Sequence, residues 1–139
     1  MNLTNNLEKY ADLIVRIGLN LHKGDNLIIR LTEDALPLAR LVAKKAYKAG
    51  VGDIQLTFTD DSITLDRFLD APEESFNSYP EYLVDFMENL LLDNHHVLSL
   101  VAPNPDLLKP VDPTRIARWQ KVAGMAGKRT MKYTMQNKV

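Results

Sequence analysis

Residues 10–30 read YADLIVRIGLNLHKGDNLIIR, and the fold turns on them. Leu7, Ala11, Ile14 and Val15 recur at i, i+4, i+7 and i+8, so they form one apolar face of a helix. Gly18 sits just past that face, where a glycine in the left-handed conformation closes a helix. Lys23-Gly24-Asp25 is a turn, with Gly24 supplying the positive φ. The run from Asn26 to Leu31 carries a charge only at Arg30. A strand that apolar is covered on both faces, as in a parallel sheet. Everything after it reads as strand-and-helix layers laid beside this first strand.

Outward from that stretch the pattern continues. On the N-terminal side, Asn5 or Thr4 caps the first helix, and Glu8 stands three residues after Asn5 as a capping-box partner. On the C-terminal side, Thr32 to Asp34 offer side-chain oxygens for the next N-cap, and Pro37 suits a first helical turn. Leu38, Leu41, Val42 and Ala46 carry the buried face of this second helix, which Gly50 ends. Asp53 to Thr59 alternates and is rich in Ile, Thr and Phe, as a second strand requires. If the two strands are parallel, the crossover is right-handed.

Asp61 or Ser62 caps a short helix through Ile63, Leu65, Phe68 and Leu69. Residues 70–79 are looser. Ser78 and Glu81 are then spaced as a capping box with Pro80 in the first turn. Leu83, Phe86, Met87, Leu90 and Leu91 form the best amphipathic pattern in the chain, and Asn94 is its stop. His96 to Ala102 reads as a third buried strand. Asp112 caps a last helix with Pro113 at its first position, and Ile116, Trp119, Gln120 and Ala123 share one face. Gly124 and Gly127 weaken it locally. Residues 128–139 continue as a basic helix with Met131 and Met135 one turn apart. The order β-α-β-α-α-β-α predicts the α/β class, a layered open sheet of mostly parallel strands flanked by helices. Residues 1–139 form one domain. No strand receives the last helix, so the layout reads as incomplete at its C-terminal end.

Composition narrows the function classes. The 139 residues suffice for one core, and 45% apolar with 25% charged residues is the balance of an ordinary globular protein. A formal net charge of -1 gives no charge-driven affinity for nucleic acid or acidic membranes. Without cysteine there is no disulfide framework and no cysteine–zinc site. The start, MNLTNNLEKY, lacks the layout of a signal peptide, and no apolar run approaches the roughly 20 residues that span a bilayer. The expectation is a cytoplasmic protein.

No catalytic, cofactor-binding or metal-binding residue emerges from the motifs. His95 and His96 are adjacent on a strand and point to opposite faces, so they do not share one ion. His22 is far off in a turn, and there is no His-Glu-x-x-His or His-x-His. Asp60-Asp61 lies at the carboxyl end of a parallel strand, where open α/β sheets place ligands, yet Asp-Asp-Ser before a helix is also an N-cap. Capping explains it without a ligand. Glu73 and Glu74 read as solvated. The glycines form no phosphate loop, and Ser62 and Ser99 have no nearby histidine for a nucleophile arrangement. Lys128, Arg129, Lys132 and Lys138 read as a solvated helix face.

The ordered set of motifs carries more than any one of them. Leu7-Glu8-Lys9-Tyr10-Ala11-Asp12-Leu13-Ile14-Val15 is followed by Gly18-Leu19-Asn20, Lys23-Gly24-Asp25 and Ile28-Ile29-Arg30. Ala46-Tyr47-Lys48-Ala49-Gly50 precedes the second strand and Asp60 follows it. Together these resemble the N-terminal region of the aminopeptidase T / aminopeptidase S / PepS family of metallo-aminopeptidases. The stretch from Pro105 to Gln120, with Val111-Asp112-Pro113 and Ile116-Ala117, resembles the segment that family places before its catalytic half. The resemblance implies an exopeptidase that removes N-terminal residues from peptides with two divalent ions (zinc, cobalt or manganese), cytoplasmic and homodimeric.

The family's metal ligands are glutamates, histidines and an aspartate in its C-terminal half, and no position here matches those motifs. The chain is therefore expected to be the N-terminal domain of such an enzyme, inert alone, with the missing catalytic domain as its partner. Two other classes remain. One is a stand-alone flavodoxin- or receiver-like binding module with Asp60-Asp61 as an acidic pocket, although the third strand ends without a receiver's further partners. The other is a dimerisation or scaffold domain.

Overall fold

The computed structural model of the chain describes residues 3–93, 95–102 and 104–133. It has three strands, β1 (Asn26–Leu31), β2 (Asp53–Phe58) and β3 (His95–Leu100), and five α-helices. These are α1 (Leu3–Leu13), α2 (Leu36–Lys48), α3 (Asp61–Asp70), α4 (Glu81–Leu92) and α5 (Pro113–Tyr133). The strands form one sheet of order β2-β1-β3, parallel throughout. Asn26 aligns with Asp53 and His95, and Leu31 with Phe58 and Leu100. The α/β class and the parallel open sheet are as the sequence predicts.

The most apolar strand takes the central place. Leu27, Ile28, Ile29 and Leu31 are fully buried, and Arg30 is the exposed position in the strand. Burial of such side chains stabilises by about 1.5–3 kcal/mol each. Leu27, Ile29 and Leu31 belong to a core shared with Ala11 of α1, with Val15 just beyond it, and with Ala39, Val42 and Ala46 of α2. Alanines at these helical positions let α1 and α2 pack closely. On α2 the buried line is Ala39, Val42 and Ala46, while Leu38 and Leu41 are only partly buried.

Helix starts and stops account for most differences from the sequence reading. Gly18 does not take the left-handed conformation expected of it. The chain leaves α1 through a π-helical turn, Ile14–Gly18, closed by Leu19 N–H donating to the Ile14 carbonyl at 2.8 Å. The positive φ falls instead on Asn20, at 49°, a residue type that tolerates it. Helix α1 is already under way at Leu3, so Thr4 and Asn5 lie inside it. Thr32 is followed by a 3-10 turn, Glu33–Ala35, and makes no side-chain cap. Pro80 is itself the N-cap of α4, and no Ser78–Glu81 capping box forms. The expected stop at Asn94 lies outside the described residues, as does Met135.

The chain's contacts gather into two compact units, one holding the sheet with α1 and α2, the other holding α3, α4 and α5. In the second unit Phe68, Phe76 and Val111 form a core with Leu65, Ala71, Leu108, Ile116 and Trp119 against it. Helix α5 runs unbroken through Gly124 and Gly127. Asp112 caps it by accepting from Thr114 N–H and Thr114 Oγ1, each at 2.9 Å, with Pro113 first in the helix.

Candidate functional site

Two places hold the residue types that chemistry uses, and they differ in what they do. The first is the amino-terminal edge of the sheet. There Lys23-Gly24-Asp25 meets the turn that follows α2. Gly24 N–H donates to the Gly50 carbonyl at 2.9 Å and Gly52 N–H to the Asp25 carbonyl at 2.8 Å. Gly24 and Gly50 sit at φ 90° and 103°. A Cβ on Gly50 would lie 2.8 Å from Lys23 Cα, so glycine is required there by contact as well as by conformation.

The same edge carries all three histidines of the chain. His22 N–H donates to Asp25 Oδ2 at 2.9 Å, and His96 Nε2 lies 3.3 Å from that oxygen. His95 Nε2 lies 3.7 Å from Asp53 Oδ2, with the imidazole buried. Adjacent histidines on β3 thus reach two different aspartates from opposite faces, as strand geometry dictates. They tie the start of β3 to the turn before β1 and to the start of β2. Among the described residues no three His, Asp or Glu side chains gather in a way that holds a metal ion.

The second place is the carboxyl end of β2, where Asp60-Asp61 follows. Asp60 Oδ2 accepts the Ile63 N–H at 3.0 Å and is the N-cap of α3; Asp61 is the first residue of that helix. The acidic pair is thereby used in capping. The cap falls one residue earlier than the Asp61 or Ser62 that sequence spacing suggests.

Within the second unit, an aromatic and arginine cluster went unrecognised in the sequence. Arg67 lies over Trp119, 4.0 Å from its centroid, and 4.5 Å from the Phe76 centroid, and donates to the Ser75 carbonyl at 3.2 Å. Burial, with Arg115 nearby, lowers the Arg67 pKa from its ordinary value. Arg115 lies over Phe76 and donates to the Ala71 carbonyl and, at 2.6 Å, to Glu73 Oε1. Arg118 reaches Glu73 Oε2 at 2.9 Å. Glu73 is therefore an ion-pair partner and not merely a solvated acid. Arg129, expected on a solvated face, grips Glu88 and Asp85 of α4, and these carboxylates raise its pKa. The spacing of Arg115 and Arg118, one turn apart on α5, was the available signal. Arg115 Nε is buried without a hydrogen-bond partner, while the other guanidinium nitrogens named here are engaged by carbonyls, carboxylates or rings; the cluster builds the unit.

The class of protein these features define is a parallel α/β fold. Its likeness to a solved structure is close: wild-type AmpT from Thermus thermophilus superimposes with a TM-score of 0.86 at 30% identity, over 95% of this chain and 33% of that one. The profile of the thermophilic metalloprotease (M29) family matches residues 3–139, and the chain belongs to that family. It is 42% identical to aminopeptidase 2 of Geobacillus stearothermophilus over 86% of its own length and 29% of the relative's. It is 35% identical to aminopeptidase AmpS of Bacillus subtilis (strain 168), over 96% and 32%. The chain thus spans about a third of the relatives it matches.

Proposed function

We propose that residues 1–139 are the N-terminal α/β domain of a larger metal-dependent aminopeptidase, which releases amino acids from the N-termini of peptides. In the parent, two divalent ions (zinc, cobalt or manganese) supply the Lewis acid and the activated water. The described residues offer no ligand set that fits such a pair, so no reaction step is routed through this chain. Its catalytic, cofactor and metal positions are taken to be none, and its contribution is to shape the enzyme around the site. The natural partners are then the catalytic domain, peptide substrates of the parent and a second copy of the parent. The location is the cytoplasm; among the described residues no helix is long and apolar enough to cross a membrane.

One observation carries this reading. The chain matches aminopeptidases along nearly all of its own length but only 29% to 33% of theirs. Its motif-rich turns are also committed to hydrogen bonds within the fold. A receiver-like module has less support, because Asp60 is engaged as a helix cap. The test is the reading frame beyond Val139. The expected product carries glutamates and histidines downstream and hydrolyses peptide amides with added cobalt or zinc. A frame without such a segment would refute the reading.

A further inference from the structure

Helix α4 is apolar over most of its circumference. Eight of its twelve residues, EYLVDFMENLLL, are Tyr, Leu, Val, Phe or Met, yet only Val84 and Leu91 are buried. Val84 lines the groove that Met87 and Leu83 share with Ala123, Gly127 and Thr130 of α5, and Leu91, two turns on, lies on the same side of the helix. At 100° per residue, Tyr82, Phe86 and Asn89 fall on the opposite side, with Leu83 and Leu90 on the flank between. Tyr82 is 72% exposed, Phe86 41% and Leu83 40%. A helix apolar over so much of its surface belongs inside a larger protein. Its position is fixed, since Arg129 of α5 holds Asp85 and Glu88.

We infer that the outward face of α4, centred on Phe86, is the surface on which the remaining two thirds of the parent enzyme docks. This rests on the function proposed above. The chain spans only about a third of its relatives, so a large body of protein is available to cover the face. A second copy of this chain is the rival occupant, and its contribution is read from the dependence of labelling on protein concentration. The occupant is apolar, with a hydrogen-bonding group opposite Asn89, which lies beside Tyr82 on the outward face.

The absence of cysteine from the chain makes the test direct. Phe86→Cys and, separately, Tyr82→Cys are placed in the 139-residue chain and in the full product of the gene. Thiol labelling is followed by mass-spectrometric peptide mapping and referred to the urea-unfolded protein. Both introduced thiols are expected to label fast in the 139-residue chain and at least roughly tenfold more slowly in the full product, at any protein concentration. Equal rates in the two proteins would overturn the inference. So would protection that develops in the 139-residue chain as its concentration rises, which would assign the face to self-association. A full product of the Phe86→Cys variant that hydrolyses peptides while its thiol stays reactive refutes the docking face alone. Protection without hydrolysis supports the docking face and refutes the proposed activity.

Discussion

At the residue scale, glycines and aspartates of the turns and caps hold backbone. Gly24 and Gly50 both have positive φ, but only Gly50 is also pressed against Lys23. Gly24→Ala is expected to cost about 1–2 kcal/mol, and Gly50→Ala on the order of 3 kcal/mol or more, because it adds a steric clash to the strained conformation. Urea unfolding of the two variants measures the difference; equal losses would mean the Lys23 contact relaxes freely. Asp60→Ala is expected to lower stability by about 1 kcal/mol through loss of the α3 cap, and Asp60→Ser to restore most of it. A ligand-binding Asp60 would not be rescued that way. Asp112 is held below the ordinary aspartate range first by the Thr114 N–H and then by its hydroxyl. A depressed carboxyl pKa contributes stability above the unfolded value, about 4, which is lost as pH falls through the lower folded value. The Thr114 amide resonance should therefore shift below about pH 4, and Asp112→Asn should abolish the shift.

At the element scale, what the sequence discloses depends on whether an element's partners are local. Strand β1 was legible because Leu27 to Leu31 admits only a doubly covered strand, and both neighbouring strands do lie parallel to it. The opposite faces of His95 and His96 were legible for the same reason. The left-handed residue was misplaced from Asn20 to Gly18 because a π-helical turn adds a residue that no periodicity reveals. The roles of Arg67, Arg115 and Arg118 were hidden because their partners lie far off in sequence, Glu73 being 42 residues from Arg115. Arg115→Met is expected to destabilise the second unit by about 2 kcal/mol, since it leaves the Ala71 carbonyl without its charged donor and Glu73 with Arg118 alone. Trp119, the one tryptophan, stacks on Tyr79 and meets Arg67, so its fluorescence reports that unfolding directly. An unchanged Trp119 transition in Arg115→Met would show the cluster to be incidental.

At the scale of the whole molecule, the chain combines a well-specified architecture with no cluster of His, Asp and Glu able to hold a metal ion among its described residues. The turns that carry the resemblance in the sequence join strand ends through backbone hydrogen bonds. The fold was legible from periodicity. The function came from resemblance, because in the proposed reading the groups that perform it belong to a different part of the parent enzyme. The outward side of α4 was the feature least legible. Its pattern promised a core helix, and within this chain half of that promise is unmet. The most direct measurement of the central claim is isothermal titration of the 139-residue chain with zinc and cobalt, with the same samples assayed on peptide amides. The account predicts no stoichiometric binding and no turnover. One tightly bound ion per chain, or metal-dependent release of amino acids by this chain alone, would contradict it.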